Sequence, residues 1–114
     1  MIIKRGEIYL ATLDPVVGRE ISKTRPVVVV SNDVSNQFSG TVTVLPITSR
    51  RLEKIYPFEV LLPKGSANLP KDSKVKADQI RTLDKSRMIS MIGRLNDADL
   101  KSVAKAIKVH LGLG

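Results

Sequence analysis

The chain has 114 residues, a formal net charge of +8 and no cysteine. This length is typical of one domain, and we expect a single domain over residues 1–114. The lack of cysteine excludes a disulfide framework, a thiolate zinc site and a cysteine nucleophile, and the single histidine excludes a histidine acid–base pair. The longest apolar run, residues 26–30, is far shorter than the ~20 residues of a membrane helix. We therefore expect a soluble cytoplasmic protein with no membrane contact, whose positive charge favours a polyanionic partner.

Most of the chain consists of short β-branched or alternating segments that are separated by turn residues, a pattern typical of strands. The segment 31–40 is polar and predicts a loop, and 78–83 predicts one helical turn. Pro46 indicates a bulge or an edge strand. In chain order, the predicted strands are 7–13, 25–30, 41–48, 57–62, 73–77 and 87–93.

The end of the chain has a different periodicity. Asn96 is a good N-cap, and Gly112 ends the pattern. We therefore predict a mainly β fold, a small antiparallel barrel of five to seven strands closed by a C-terminal helix. The apolar residues that fall on one stripe of this helix are Leu100, Val103, Ala104, Ile107 and Leu111.

Basic residues gather in two predicted loops that leave or enter neighbouring strands. We expect these loops to flank one groove that binds a polyanion, because binding residues often lie on loops held by a rigid scaffold. The alternative is that these charges are only solvated. The residues are Arg19, Lys23 and Arg25 in or just after the first loop, and Arg50, Arg51 and Lys54 in the second.

Three positions are candidates for chemistry. Arg25 precedes Pro26 and is therefore held extended at a strand entrance. Thr48 places a hydroxyl at a strand end, and Asp78 shares one face of an extended segment with Lys76. Each also has a structural interpretation: a surface ion pair for Arg25, a turn former at Thr48 and an N-cap at Asp78.

Six segments resemble, in order and over nearly the whole chain, the successive motifs of the MazF/PemK (Kid) toxin endoribonucleases. The resemblance implies an SH3-like, CcdB-like barrel with a C-terminal helix. It also implies a homodimer that cuts single-stranded RNA at short sequences with neither metal nor cofactor, and an acidic antitoxin whose tail lies across the RNA groove. The segments are KRGEIY at 4–9, DPVVGRE at 14–20, TRPVVV at 24–29, PITS at 46–49, YPFEV at 56–60 and DQIRTLD at 78–84.

The resemblance also assigns residues. Arg25 stands at the catalytic arginine and Thr48 at the catalytic threonine, while Glu20 and Asp78 match the acidic site positions. Ser49 and Gln79 match the flanking polar positions. At two positions the chain departs from some members of the family: Arg19 stands where they carry histidine, and Lys76 stands where they carry arginine.

The chemistry of metal-free RNA cleavage fits these residue types. The substrate's own 2′-hydroxyl attacks the phosphate, so the products carry a 2′,3′-cyclic phosphate and a 5′-hydroxyl. Arg25 offers a forked cation to the phosphorane oxygens, and Thr48 offers a neutral donor. Asp78 or Glu20 is a candidate base, and the sequence leaves the identity of the base and of the acid open.

Two other functions remain as alternatives at this stage. One is a non-enzymatic toxin of the same fold that binds a protein such as DNA gyrase, and the other is an RNA-binding barrel without catalysis. Dimerisation is suggested independently by the last predicted strand, because its apolar residues exceed what one face needs. These residues are Met88, Ile89, Met91 and Ile92.

Overall fold

The computed structural model describes residues 2–114, which form seven strands and two α-helices. Short 3-10 turns cover residues 66–68, 77–79 and 85–87. The elements in chain order are β1 (Glu7–Thr12), β2 (Thr24–Val29), α1 (Asp33–Phe38), β3 (Thr41–Thr48), β4 (Glu59–Leu62), β5 (Ser73–Lys76), β6 (Arg81–Asp84), β7 (Met88–Arg94) and α2 (Asp97–Leu111).

The strands form one antiparallel sheet in the order β4-β5-β3-β2-β1-β7, and β6 pairs with the first half of β3. The predicted mainly antiparallel fold with a C-terminal helix is therefore confirmed. The sheet is open, however, and is not closed into a barrel, because within residues 2–114 β4 and β7 do not pair with each other.

A loop, residues 63–72, lies against β7 where a closed barrel would have strand pairing. The side-chain amide of Asn68 donates to the Ile92 carbonyl at 3.0 Å. Gly93 permits this approach, because a Cβ at that position would lie 2.2 Å from the Ala67 carbonyl oxygen. The physical reason for the open sheet is therefore that an irregular segment occupies the gap.

The alternation of β3 divides the core into two layers. Leu45 and Ile47 face α2 and belong to one apolar cluster, while Val42 and Val44 face the opposite side and belong to another. The first cluster includes Val103 and Ala106 of α2. This period of two sends successive residues of one strand to opposite faces of the sheet.

Helix α2 has the ends that the sequence predicts. The Asn96 side chain accepts a hydrogen bond from the Asp99 amide at 2.7 Å, and Gly112 ends the helix in the left-handed conformation. Leu111 is the exception on the predicted stripe, since it is exposed. Among the described residues, no helix is both long enough and apolar enough to cross a bilayer.

Two segments differ from their predictions. The segment predicted as a loop contains α1, which begins because Asn32 caps it by accepting from the Ser35 amide at 2.8 Å. The segment predicted as one helical turn holds the short turn 77–79 and then β6, which gains backbone partners from β3. Pro46 lies in an interior strand and pairs with Val27 of β2, so an edge position is wrong; it stands where the partner on the other side of β3 changes from β6 to β5.

The apolar residues of β7 are split between the core and the surface. Met88 is buried in a core cluster and Ile92 packs against the other cluster. Ile89 and Met91 are about half exposed, at 51% and 49%. Only these two of the four side chains are therefore available to a second copy of the chain.

Candidate active site

Strand pairing brings three polar side chains to the face of the sheet opposite α2. Thr48 of β3 pairs directly with Lys74 of β5. The β2–β3 register, Val27 opposite Pro46, brings Arg25 opposite Thr48 when it is continued by two residues. Because side chains that lie opposite each other in a sheet point to the same face, Arg25, Thr48 and Lys74 form one row.

A basic groove of about 760 Å³ lies on this face. Five of its lining side chains are cationic and one is a carboxylate, so the groove presents net positive charge. Such a concave, positively charged surface attracts a polyanion. The lining residues are Arg19, Ile21, Thr48, Arg50, Arg51, Lys74, Lys76, Asp78 and Gln79.

Two smaller hollows adjoin the basic groove. The one that contains Arg25 and Ser49 has a volume of about 190 Å³ and shares Thr48 with the groove. The one that contains Glu20 has about 280 Å³ and shares Asp78 with it. The four predicted catalytic residues are therefore distributed over three neighbouring hollows, and Thr48 stands at the boundary between the groove and the Arg25 pocket.

Arg25 is half-buried, and its Nε donates to the Ser22 carbonyl at 3.2 Å. No carboxylate of residues 2–114 lies within ion-pair distance of it, so the surface ion pair does not form within that range. Thr48 uses its hydroxyl oxygen to accept from the Arg50 amide at 3.2 Å, as a turn former would. Its hydroxyl hydrogen is still free to be donated to another acceptor.

A buried cluster of charges lies beside the groove. The Glu59 carboxylate accepts from Lys74 Nζ at 3.1 Å and from Lys76 Nζ at 2.8 Å, and Lys76 Nζ lies 3.6 Å from Asp78. Burial opposes ionisation of Glu59, but the hydrogen bonds from Lys76, the Tyr56 amide and Lys74 outweigh it and hold the pKa of Glu59 below its ordinary value. Asp78 is thus an ion-pair partner and not the cap of the turn, which is Lys76.

Sequence reasoning did not single out Glu59 and Lys74. The signal for Lys74 is the alternation in β5, which places it on the same face as Lys76. A charged residue inside a four-residue strand is normally assigned to the solvent face, and only the pairing of β5 between β3 and β4 reveals that Lys74 is buried.

Two predicted site residues hold the loop between β1 and β2. The Gln79 side chain accepts from the Ile21 amide at 3.0 Å and donates to the Arg19 carbonyl at 3.2 Å. The Glu20 carboxylate accepts from the Val17 amide at 2.5 Å, within its own loop. Both side chains therefore orient the loop that carries Arg19 to the groove.

Two predicted RNA-binding residues lie outside the three hollows. Lys54 Nζ sits 5.2 Å from the centre of the Tyr56 ring, within the range of a cation–π contact. Lys23 is exposed and has a positive φ of 68°. Among residues 2–114, no three histidine, aspartate or glutamate side chains converge as metal ligands would.

Comparison with known proteins places this geometry in a family. Residues 4–111 match the family described as PemK-like, MazF-like toxins of type II toxin–antitoxin systems. The chain is 42% identical to Endoribonuclease MazF9 of Mycobacterium tuberculosis, with 98% of both chains covered. It is 43% identical to Endoribonuclease MazF of Staphylococcus saprophyticus, covering 98% of this chain and 93% of the relative.

Solved structures show the same fold. MazF from Deinococcus radiodurans superimposes with a TM-score of 0.83 at 30% identity, covering 98% of both chains. A mycobacterial endoribonuclease in complex with its cognate antitoxin gives a TM-score of 0.81 at 25% identity, covering 98% of this chain and 97% of that one. With near-complete coverage in sequence and in structure, the chain belongs to the PemK-like, MazF-like toxins of type II toxin–antitoxin systems.

Proposed function

We propose that this endoribonuclease toxin cleaves single-stranded RNA at short sequences, without a metal ion, where the basic groove meets the Arg25 pocket. The observation that carries the proposal is the position of Thr48, which borders both hollows. A phosphate at this boundary is within reach of a guanidinium, a hydroxyl and the cations of the groove. Arg25 is suited to the phosphorane oxygens because its planar fork can donate two parallel hydrogen bonds.

The proposed reaction starts from the RNA itself. The 2′-oxygen attacks the adjacent phosphorus and the bond to the 5′-oxygen breaks, and the 5′-oxygen takes a proton from solvent, which gives a 2′,3′-cyclic phosphate and a 5′-hydroxyl. Arg25 and the Thr48 hydroxyl stabilise the charge that develops on the phosphorane. We assign the acceptor of the 2′-hydroxyl proton to Asp78, since its carboxylate borders the groove, whereas Glu20 lies in the neighbouring hollow and caps its own loop.

The same cations suggest the partner that silences the toxin. We propose that an acidic segment of a cognate antitoxin binds the basic groove and competes with RNA, because both present anions to the same side chains. Solved structures of relatives include a mycobacterial endoribonuclease with its cognate antitoxin and MazE–MazF complexes from Deinococcus radiodurans. We further propose that the toxin acts in the cytoplasm as a homodimer, with exposed Ile89 and Met91 in its interface.

The experiment is cleavage of single-stranded RNA in the presence of EDTA, with the ends of the products identified by mass spectrometry. We expect cuts at a short recurring sequence, with 2′,3′-cyclic phosphate and 5′-hydroxyl ends. RNA that is bound but left intact would favour a plain RNA-binding protein. RNA that is neither bound nor cut would favour a toxin with a protein target such as DNA gyrase. Ends that carry a 5′-phosphate would rule out attack by the 2′-hydroxyl.

A further inference from the structure

We propose that Lys74 is a positioning residue whose buried ammonium fastens the segment between β3 and β4, residues 49–58, and so sets where Arg50 and Arg51 meet the RNA. The inference rests on the proposed function, because it concerns how the same groove holds its substrate. Lys74 itself does not need to touch RNA for this role.

The contacts of Lys74 are unusual for a lysine. The residue is only 4% exposed, although it lies in a short strand on the charged face of the sheet. Its Nζ donates to the Arg51 carbonyl at 2.8 Å, to the Lys54 carbonyl at 3.2 Å and to Glu59 Oε1 at 3.1 Å. An ammonium has three N–H donors, so these three acceptors satisfy it completely.

Complete satisfaction explains why the charge is tolerated inside the protein. A buried ammonium is strongly unfavourable unless it is paired and hydrogen-bonded. Glu59 supplies the opposite charge, and its Oε1 also accepts from the Tyr56 amide at 3.0 Å. The segment is thereby fastened at three points, the carbonyls of Arg51 and Lys54 and the amide of Tyr56, all of which converge on the Lys74–Glu59 pair.

The backbone of Arg51 gives this fastening a specific purpose. Arg51 has φ of 54°, in the left-handed region that a residue with a Cβ rarely adopts. Such a conformation persists where the surrounding structure holds it, and here Lys74 binds the carbonyl of this same residue. Arg51, which forms this bend, and its neighbour Arg50 both contribute to the lining of the basic groove. Removal of the Lys74 ammonium therefore frees the bend and displaces the groove wall.

Lys76 provides a matched control within the same strand. It contacts the same Glu59 carboxylate, at 2.8 Å, and it also lines the groove. Its other ion-pair partner is Asp78, and it has no hydrogen bond to residues 49–58 in the described part of the chain. Lys74→Met and Lys76→Met thus remove one cation each from one face, but only the first removes hydrogen bonds to the segment.

The experiment measures single-turnover cleavage of an RNA that the wild-type protein cuts, with each variant alone and in an Arg50→Ala/Arg51→Ala background. We expect Lys74→Met to raise the half-saturating protein concentration about tenfold, with a smaller change in the maximal rate. This effect should largely disappear in the Arg50→Ala/Arg51→Ala background, because the positioned side chains are then absent. The effect of Lys76→Met should persist there. A Lys74→Met effect of equal size in both backgrounds would overturn the proposal.

A second readout does not depend on RNA cleavage. Trypsin cuts after lysine and arginine, so we expect Lys74→Met to accelerate cleavage after Arg50, Arg51 or Lys54, mapped by mass spectrometry, and Lys76→Met to leave these sites as protected as in the wild type. Equal protection in all three proteins would overturn the fastening. If the wild type cuts no RNA, the proposed function fails while the trypsin result still decides the fastening. Should Lys74→Met not fold, Lys74→Gln replaces it, with the same acceleration expected.

Discussion

The two faces of the sheet around β3 and β5 are built from the same strands but by opposite means. On one face, Ile47 and Val75 pack under α2 in a fully apolar layer. On the other face, their chain neighbours Thr48 and Lys74 border an open groove. Because the alternation of a strand is strict, residues that stabilise the fold and residues proposed for chemistry follow one another directly in the sequence.

The groove face also has buried side chains, but these are charged. Glu59 and Lys74 are as well buried as many core residues, and they form an ion pair with each other. On the opposite face, the buried contacts are between apolar side chains. A buried ion pair adds little net stability compared with an apolar pair of similar volume, but its attraction offsets the cost of burying the charges only when the two groups are well placed and hydrogen-bonded. The apolar layer thus supplies stability, and the charged cluster fixes the positions of the groove walls.

The largest effect that separates the two faces is expected at Arg25. Arg25→Ala should slow single-turnover cleavage by about 10²–10³-fold, because transition-state charge is met by few groups. The fold and much of the RNA affinity should remain, since many other cations contribute to binding. Arg25→Lys should recover little, as a point charge does not reproduce the fork. A thermal melt beside the rate measurement checks folding, and normal cleavage by folded Arg25→Ala protein would refute the site.

A neighbouring pair of conservative variants tests the division between the faces directly. Thr48→Val keeps the side-chain volume and removes the hydroxyl, so we expect about 10–100-fold slower cleavage, together with a loss of about 0.5–1.5 kcal/mol in unfolding free energy because the Arg50 amide loses its acceptor. Ile47→Val removes one buried methylene, so we expect a loss of about 0.5–1.5 kcal/mol in unfolding free energy with an unchanged rate. Urea unfolding and single-turnover cleavage of both proteins provide the comparison. Equal rates for the two variants would show that Thr48 is only structural.

Acid should weaken the ion pairs of Glu59 with Lys74 and Lys76, because they require an ionised carboxylate, before it affects the apolar layer. The pKa of Glu59 is lower in the folded chain than its ordinary value, so its ionised form contributes stability above that ordinary value, and this contribution is lost as the pH falls through the folded pKa. Glu59→Gln should therefore reduce the fall in unfolding free energy between pH 6 and pH 3, by at most about 1.4 kcal/mol per pH unit. Urea titrations across that range measure it. An identical pH dependence in both proteins would contradict the shift.

The smallest expected effect concerns the rim of the groove. Arg50→Ala and Arg51→Ala should each weaken binding of different RNAs alike and flatten the salt dependence, by about 0.7 in the slope of log K against log salt for each phosphate that the variant no longer neutralises. The binding measurement uses an RNA that lacks the attacking 2′-hydroxyl. Lys101→Ala, on an exposed position of α2, is the matched control and should leave the slope unchanged. An unchanged slope in all three variants would mean that these charges are merely solvated.

The sequence predicts an element of the fold when the residues that determine it lie close together in the chain. The strands and α2 follow from periodicity and caps that lie within a few residues of one another. Helix α1 is not predicted because it has only six residues and its two large apolar side chains, Val34 and Phe38, are exposed, so the cap at Asn32 is its main local signal. The open sheet was missed because the approach of residues 63–72 to Gly93 depends on contacts between segments about 25 residues apart.

The candidate site divides in the same way. Arg25, Thr48 and Asp78 could be selected by residue type and by the family resemblance, and their catalytic roles and the single domain over residues 1–114 stay predictions. The positions of the side chains that hold the site depend on tertiary pairing. Gln79 shows this well, since the sequence suggests contact with RNA and the structure engages both ends of its amide with the backbone of another loop. Burial of Lys74 likewise depends on the strand order.

The length of β3 has a practical consequence for anyone who wishes to attach a reporter to this toxin. The strand has eight residues, so its ends are about 26 Å apart, with Thr48 at one end and the Gly40 turn at the other. A Cβ added at Gly40 would meet nothing within 4 Å, so that turn has room for a side chain, although its backbone is fixed because the Gly40 carbonyl accepts from the Lys85 amide at 3.1 Å. A fluorescent label attached to the side chain of a Gly40→Cys variant should therefore leave the groove accessible, whereas Gly93 has no room for any side chain because Ala67 is packed against it.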